Sequence, residues 1–169
     1  MTELYTGMGR LAVGVLGLLG GAFWLVMTLS EGDPRVTAAG AAAVLGGLIL
    51  LFWDRLRLPA RIVVPAAVAG GLIGTVAGLA ARGISTCCMF GWSEGRGWPF
   101  VWLTRGGVAD TPDEARRLGI EEGWTAIPFR MLADVVLWSY ASLVLIVGVL
   151  VLTRVLRGHF APKVPDPAG

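Results

Sequence analysis

Four stretches with almost no charge divide the chain. Leu11 to Leu29, Val36 to Trp53 and Ile62 to Ala81 contain no charged residue, and Met131 to Thr153 contains only Asp134. At a rise of 1.5 Å per helical residue, a hydrocarbon core about 30 Å thick needs roughly 20 apolar residues. Each stretch has that length. The pattern predicts an all-α fold, an integral membrane four-helix bundle, as a single membrane domain over residues 1–169 with spans at about 11–29, 36–53, 62–81 and 131–153. Arg10 before the first apolar run resembles the start of a signal peptide. The run is long for such a segment, and Ser30-Glu31-Gly32-Asp33-Pro34 lacks a small-x-small cleavage pattern, so a retained helix is expected.

Most polar residues fall between the third and fourth spans, in a predicted outer loop over residues 82–130. Thr111-Pro112-Asp113-Glu114 reads as a capping box with proline at the first helical position, and Gly119 reads as a stop, which predicts a short helix at about 112–118. Gly95-Arg96-Gly97-Trp98-Pro99 and Gly106-Gly107 read as turns. The loop holds Phe90, Trp92, Trp98, Phe100, Trp102, Trp124 and Phe129, including four of the chain's seven tryptophans. Tryptophan combines an apolar ring with an N–H that needs a partner, so a partly ordered cap at the membrane interface is expected. The alternative is an aromatic pocket for a lipid, quinone or sugar headgroup, with Trp98 and Trp102 in its wall.

Composition agrees with the pattern. The 169 residues are 55% hydrophobic and 15% charged, against about 25% charged in soluble domains, and the mean hydropathy is +0.71. These values exclude an ordinary water-exposed globule. A net charge of +2 is too small to imply a nucleic-acid partner. The two sides of the predicted bundle carry equal numbers of cations. Arg55, Arg57 and Arg61 crowd one short connection, however, whereas Arg96 to Arg117 lie in the long loop, so the positive-inside rule places both termini in the cytoplasm of a bacterial inner (plasma) membrane.

Helices associate in lipid through close backbone approach. Gly70, Gly74 and Gly78 in the third span and Gly17 and Gly21 in the first lie four apart, and they predict packing surfaces within the bundle or between two copies. In the fourth span, Asp134 and Tyr140 are candidate ligand groups. Asp134 reads either as a helix-start carboxylate paired with Arg130 at i,i+4 or as an intramembrane ligand or proton group. Cys87 and Cys88 are adjacent. Their Cα atoms, about 3.8 Å apart, are too close for an unstrained disulfide. Plain packing, a redox pair, a soft-metal pair with Met89 and an intermolecular bridge all remain open. The only histidine, His159, is on the opposite predicted side.

The size, span number and outer cysteines are similar to those of the thiol-oxidising quinone reductases, but the C-x-x-C pair of that family is absent. Tetraspanins share a Cys-Cys pair, but Cys-Cys-Gly and its partner cysteines are missing. The run Gly97-Trp98-Pro99-Phe100-Val101-Trp102-Leu103, with Asp134 and Trp138 in the last helix, resembles small prokaryotic four-helix membrane proteins with a Gly-aromatic-Pro-aromatic outer loop. That resemblance implies a shared fold and no activity.

No nucleotide-binding glycine loop, catalytic histidine–nucleophile pair or metal cluster is visible, and no cofactor is implied. The sequence favours a non-enzymatic structural or interaction subunit with a Trp-rich outer cap, meeting membrane lipids and another membrane protein or a second copy. The alternatives are a small transporter or lipid/quinone carrier using Asp134 and Tyr140, and a thiol redox or metal-handling protein centred on Cys87 and Cys88.

Overall fold

The computed structural model describes residues 2–28, 34–87 and 90–160. It is mostly helical, at 72%. Among the described residues, three helices are long and apolar enough to cross a membrane: α1 (Thr2–Thr28), α4 (Ala60–Gly78) and α6 (Pro128–Phe160). The apolar stretch expected at 36–53 is shorter than drawn from the sequence. Helix α2 (Pro34–Leu51) stops before Phe52, and its apolar part is Val36–Leu51. A one-turn helix, α3 (Trp53–Leu56), follows and ends on Arg57 in the left-handed conformation, with φ of 48°. This break turns the chain into α4 and lets Trp53, Leu58, Val63, Ala67, Leu143 and Val147 form one buried cluster. Because α4 begins at Ala60, Pro65 falls in its second turn, and the helix runs through it.

Small residues set how the helices pack. A Cβ on Gly21 would lie 2.7 Å from the Val44 nitrogen, and one on Gly47 would lie 2.6 Å from the Leu18 nitrogen. Gly14 faces Leu50 and Leu51, whereas Gly40 faces Trp24 and Leu25. These pairings run in opposite directions along the chain, so α1 and α2 are antiparallel and in backbone contact. Helices α4 and α6 repeat the arrangement, with Gly70 against Ser142, Gly71 against Ser139 and Gly74 against Trp138. Tyr140 joins the two pairs: its ring occupies the notches at Gly17 and Gly46, and its hydroxyl donates to the Val13 carbonyl at 2.7 Å. At the far end from the sheet, Arg10 Nη2 lies 2.6 Å from Asp54 Oδ2, and Arg154 donates to the Leu56 carbonyl.

The segment between α4 and α6 corrects the all-α expectation. It is a four-stranded antiparallel sheet carrying one helix: β1 (Arg82–Cys87), β2 (Gly91–Arg96), β3 (Leu103–Val108), α5 (Pro112–Glu122) and β4 (Thr125–Ala126), in strand order β1-β2-β3-β4. Gly106 and Gly107 are not a turn. They lie in β3, where Gly106 pairs with Ser93 and Gly107 with Trp92. Glycine is needed at 107 because α5 rests directly on it; a Cβ there would lie 2.7 Å from the Gly119 nitrogen. Gly119 serves the same approach from the helix side, so it does not stop α5, which continues four residues past the expected end to a C-cap at Gly123 with φ of 85°. The predicted start holds, with the Thr111 side chain accepting from the Glu114 N–H. Gly95 and Arg96 complete β2, and the turn begins at Gly97, with φ of 122°.

Gly47→Ala is expected to destabilise the bundle by about 1–3 kcal/mol, because the new methyl meets α1 backbone that cannot yield. Gly148→Ala, where a Cβ meets nothing within 4 Å, should leave stability within about 1 kcal/mol of the parent or raise it. Denaturant titration of both variants in detergent checks the contrast.

Candidate functional site

Arg130, Asp134 and Trp138 lie four apart on α6, and residues at that spacing form one line along a helix. All three point polar atoms at the backbone of the segment that joins β2 to β3. Arg130 Nη1 donates to the Val101 carbonyl at 3.2 Å, Asp134 Oδ1 accepts from the Phe100 N–H at 3.0 Å, and Trp138 Nε1 donates to the Trp98 carbonyl at 3.1 Å. The Trp98 and Trp138 rings also meet edge to face at 5.4 Å. The Trp98-Pro99 peptide is cis. On the other side, Gly78 of α4 sits against the Trp98 backbone, where a Cβ would be 2.8 Å from its carbonyl oxygen. Asp134 is fully buried, and its Oδ2 has no hydrogen-bond partner among the described residues.

A groove of about 520 Å³ runs between α1 and α6. Its floor is the small-residue face of α2 at Ala39, Gly40 and Ala43, and its walls include Gly20, Leu132 and Val136. Tyr140 lies at one end, and Phe100 lies at the other, where its ring meets Trp24 edge to face at 5.1 Å. Its volume is in the range of small-molecule sites, but the wall is almost purely apolar. Asp134 is not part of that wall, although its neighbour Ala133 is.

A second polar centre lies within the sheet. Strand alternation puts Trp92, Glu94 and Arg96 on one face of β2, and the register places Arg82 opposite Arg96 and Arg105 opposite Glu94. Glu94 is inaccessible to solvent. Arg105 donates to its Oε2 through Nε at 2.9 Å and Nη2 at 2.6 Å, while Arg82 Nε stands 2.7 Å from Oε1 at an angle unsuited to a hydrogen bond. Arg96 Nη2 is 3.7 Å from the same oxygen. The guanidinium groups of Arg105 and Arg96 both lie over the Trp124 ring, 4.4 and 5.1 Å from its centre. The hydrogen bond from Arg105 holds the Glu94 carboxyl below its ordinary pKa of 4.5, reinforced by the charges of all three arginines. Burial works the other way and is outweighed, because the groups that cover the carboxylate are themselves cations.

The sequence-selected residues therefore separate into different places. Trp98 and Asp134 meet at the junction of sheet and α6. Trp102 lies beside Gly97, with its indole N–H buried and unpartnered, and Tyr140 lies in the groove. The expected Arg130–Asp134 pair is replaced by two separate bonds to the loop backbone. Gly17, Gly70, Gly74 and Gly78 face Tyr140, Ser142, Trp138 and the Trp98 backbone, and Gly21 faces α2, so the glycine rows pack this chain's own elements. Cys87 is exposed at the end of β1; Cys88 and Met89 lie outside the described residues. Glu94, Arg82, Arg96, Arg105 and Trp124 were missed, although the alternation Trp92-x-Glu94-x-Arg96 carried a strand signal.

Asp134→Asn should keep the Phe100 amide protected, because the asparagine oxygen still accepts, whereas Asp134→Ala should expose it at a cost of about 1–3 kcal/mol. Hydrogen exchange at Phe100 reads the difference. Since the folded pKa of Glu94 is lowered, its contribution to stability is present above the unfolded value of 4.5 and disappears as the pH falls through the folded value. Exchange protection of β2 should therefore fall in acid, and Glu94→Gln should lower it at neutral pH and flatten the pH dependence.

No protein-family model, curated protein or solved structure matches the chain.

Proposed function

We propose that the chain is an interaction subunit of a membrane, with a four-helix bundle that holds the sheet and α5 outside as the partner-facing unit. The observation that carries this reading is the free edge of β1. All six residues of Arg82–Cys87 are exposed, and among the described residues only β2 pairs with the strand, on one side. An unpaired edge presents a row of backbone donors and acceptors that another strand can extend. Arg82 is its single charge. The same outer unit exposes Ile84 at 56% and Val108 at 73%, apolar surface that a partner could cover. The partner in this reading is another membrane protein, or a second copy, that lays an extended segment along β1.

The four-span topology is supported by α2. Its apolar part, Val36–Leu51, rises about 24 Å, and it lies antiparallel to α1. With both termini cytoplasmic, Arg55, Arg57 and Arg61 stand on the inner side, as the positive-inside rule requires. A second reading, a carrier for an apolar chain, is favoured by the groove between α1 and α6. It assigns Tyr140 to the end of the bound chain and gives Asp134 no contact with it.

A photocrosslinker at Ser85 should give an adduct with a second polypeptide in intact membranes, whereas one at lipid-facing Leu145 should not. Thr86→Lys, which blunts the edge, should abolish that adduct without altering the melting of the purified protein. A monomer that gives no adduct from β1 overturns the reading. For the carrier, Gly20→Phe should fill the groove and release any apolar molecule that co-purifies from a lipid extract; retention of that molecule removes the second reading.

A further inference from the structure

The end of the sheet nearest the helices carries more positive charge than its own structure uses. Arg82 and Arg96 are direct cross-strand partners, and like charges opposite each other oppose strand pairing. One carboxylate offsets them, and it is shared with a third arginine: Glu94 Oε2 takes both hydrogen bonds from Arg105, which leaves Oε1 to face Arg82. Arg96 is left with a 3.7 Å approach to Oε1 and the face of Trp124. Its Nε is buried with no hydrogen-bond partner among the described residues. The side chain is nonetheless held in place by the ring on one side and the carboxylate on the other, and 41% of it faces outward beside Arg82 at 50%.

Position adds to charge. Arg82 follows the end of α4 by four residues, and Ala126, on β4, precedes α6 by two. The Arg82–Arg96 pair is therefore the row of the sheet closest to the helix ends, at the level where a bilayer places its headgroups. We infer that Arg82 and Arg96 form a binding site for a phosphate group. Guanidinium forks are suited to phosphate oxygens. Two forks on neighbouring strands call for an anion with oxygens in more than one plane, which a tetrahedral phosphate provides. The phosphate comes either from a lipid headgroup or from free solution. Neither source depends on the strand-edge reading above: Arg82 belongs to β1, but the site uses its side chain and that of Arg96 on the sheet face, whereas a partner strand would pair with the β1 backbone.

The test uses the full-length protein in detergent with equimolar phosphatidylglycerol and phosphatidylcholine, and native mass spectrometry counts retained lipid. Arg96→Gln is the main variant, because Arg96 makes no side-chain hydrogen bond that the fold would lose. The parent should prefer phosphatidylglycerol, and Arg96→Gln should reduce that retention roughly ten-fold, the loss expected for one charge-assisted hydrogen bond. Arg116→Gln with Arg117→Gln, on α5, should have no effect. A parallel melt with inorganic phosphate against chloride separates the sources. Lipid retention that phosphate does not displace assigns the headgroup, and an Arg96-dependent melting shift with no lipid preference assigns free phosphate. Equal retention of both lipids with no phosphate shift, or equal loss in the α5 variant, overturns the site.

Discussion

The arrangement depends on three side chains of α6 that bind the backbone of a loop. Arg130, Asp134 and Trp138 offer a cation, an anion and an indole N–H in one line, and residues 98–101 answer with a carbonyl, an amide and a carbonyl. The bonds of Asp134 and Trp138 are partly buried, so leaving either unmade would cost the desolvation of a buried polar group, whereas that of Arg130 lies at the surface. They fix the loop; the loop covers Asp134, closes one end of the groove with Phe100 and starts β3 in register. The tilt and height of the sheet follow from a stripe less than three turns long.

The same contact joins two features that stand apart in the sequence. The Gly-aromatic-Pro-aromatic run and the Asp134–Trp138 pair are about thirty residues apart, and their association had no local cause. In the structure they are the two halves of one junction. Sequence reading identified both halves and the correct helix, but of its two readings of Asp134, a pair with Arg130 or an intramembrane ligand group, neither named the loop, because helical spacing reveals neighbours on the same helix and says nothing of a loop that returns from elsewhere.

Other elements were legible to the extent that their determinants were local. The apolar lengths located α1, α4 and α6, and Thr111 with Glu114 located the start of α5. The glycines at 17, 21, 70, 74 and 78 were read as packing surfaces, and each does face a neighbouring element. The sheet escaped notice because glycine serves two purposes in it. Gly106 and Gly107 look like a turn in one dimension, but they lie in β3, and the bare backbone at Gly107 is there because α5 lies on it, a tertiary demand without a local sequence signature. Glu94 and its arginines are likewise assembled from three strands. The break at Phe52 was hidden because apolar residues continue across it to Trp53.

The sheet also has a mechanical meaning. Its first strand is tied to α4 through a short turn and its last to α6 through a single residue, and these are opposite edges. Three strand spacings of about 4.8 Å make a plate about 14 Å wide, spanning two helices whose axes pack about 8–10 Å apart. Such a plate acts as a brace. Force applied to it would be shared by both helices at once, and parting the helices would require strand-by-strand separation.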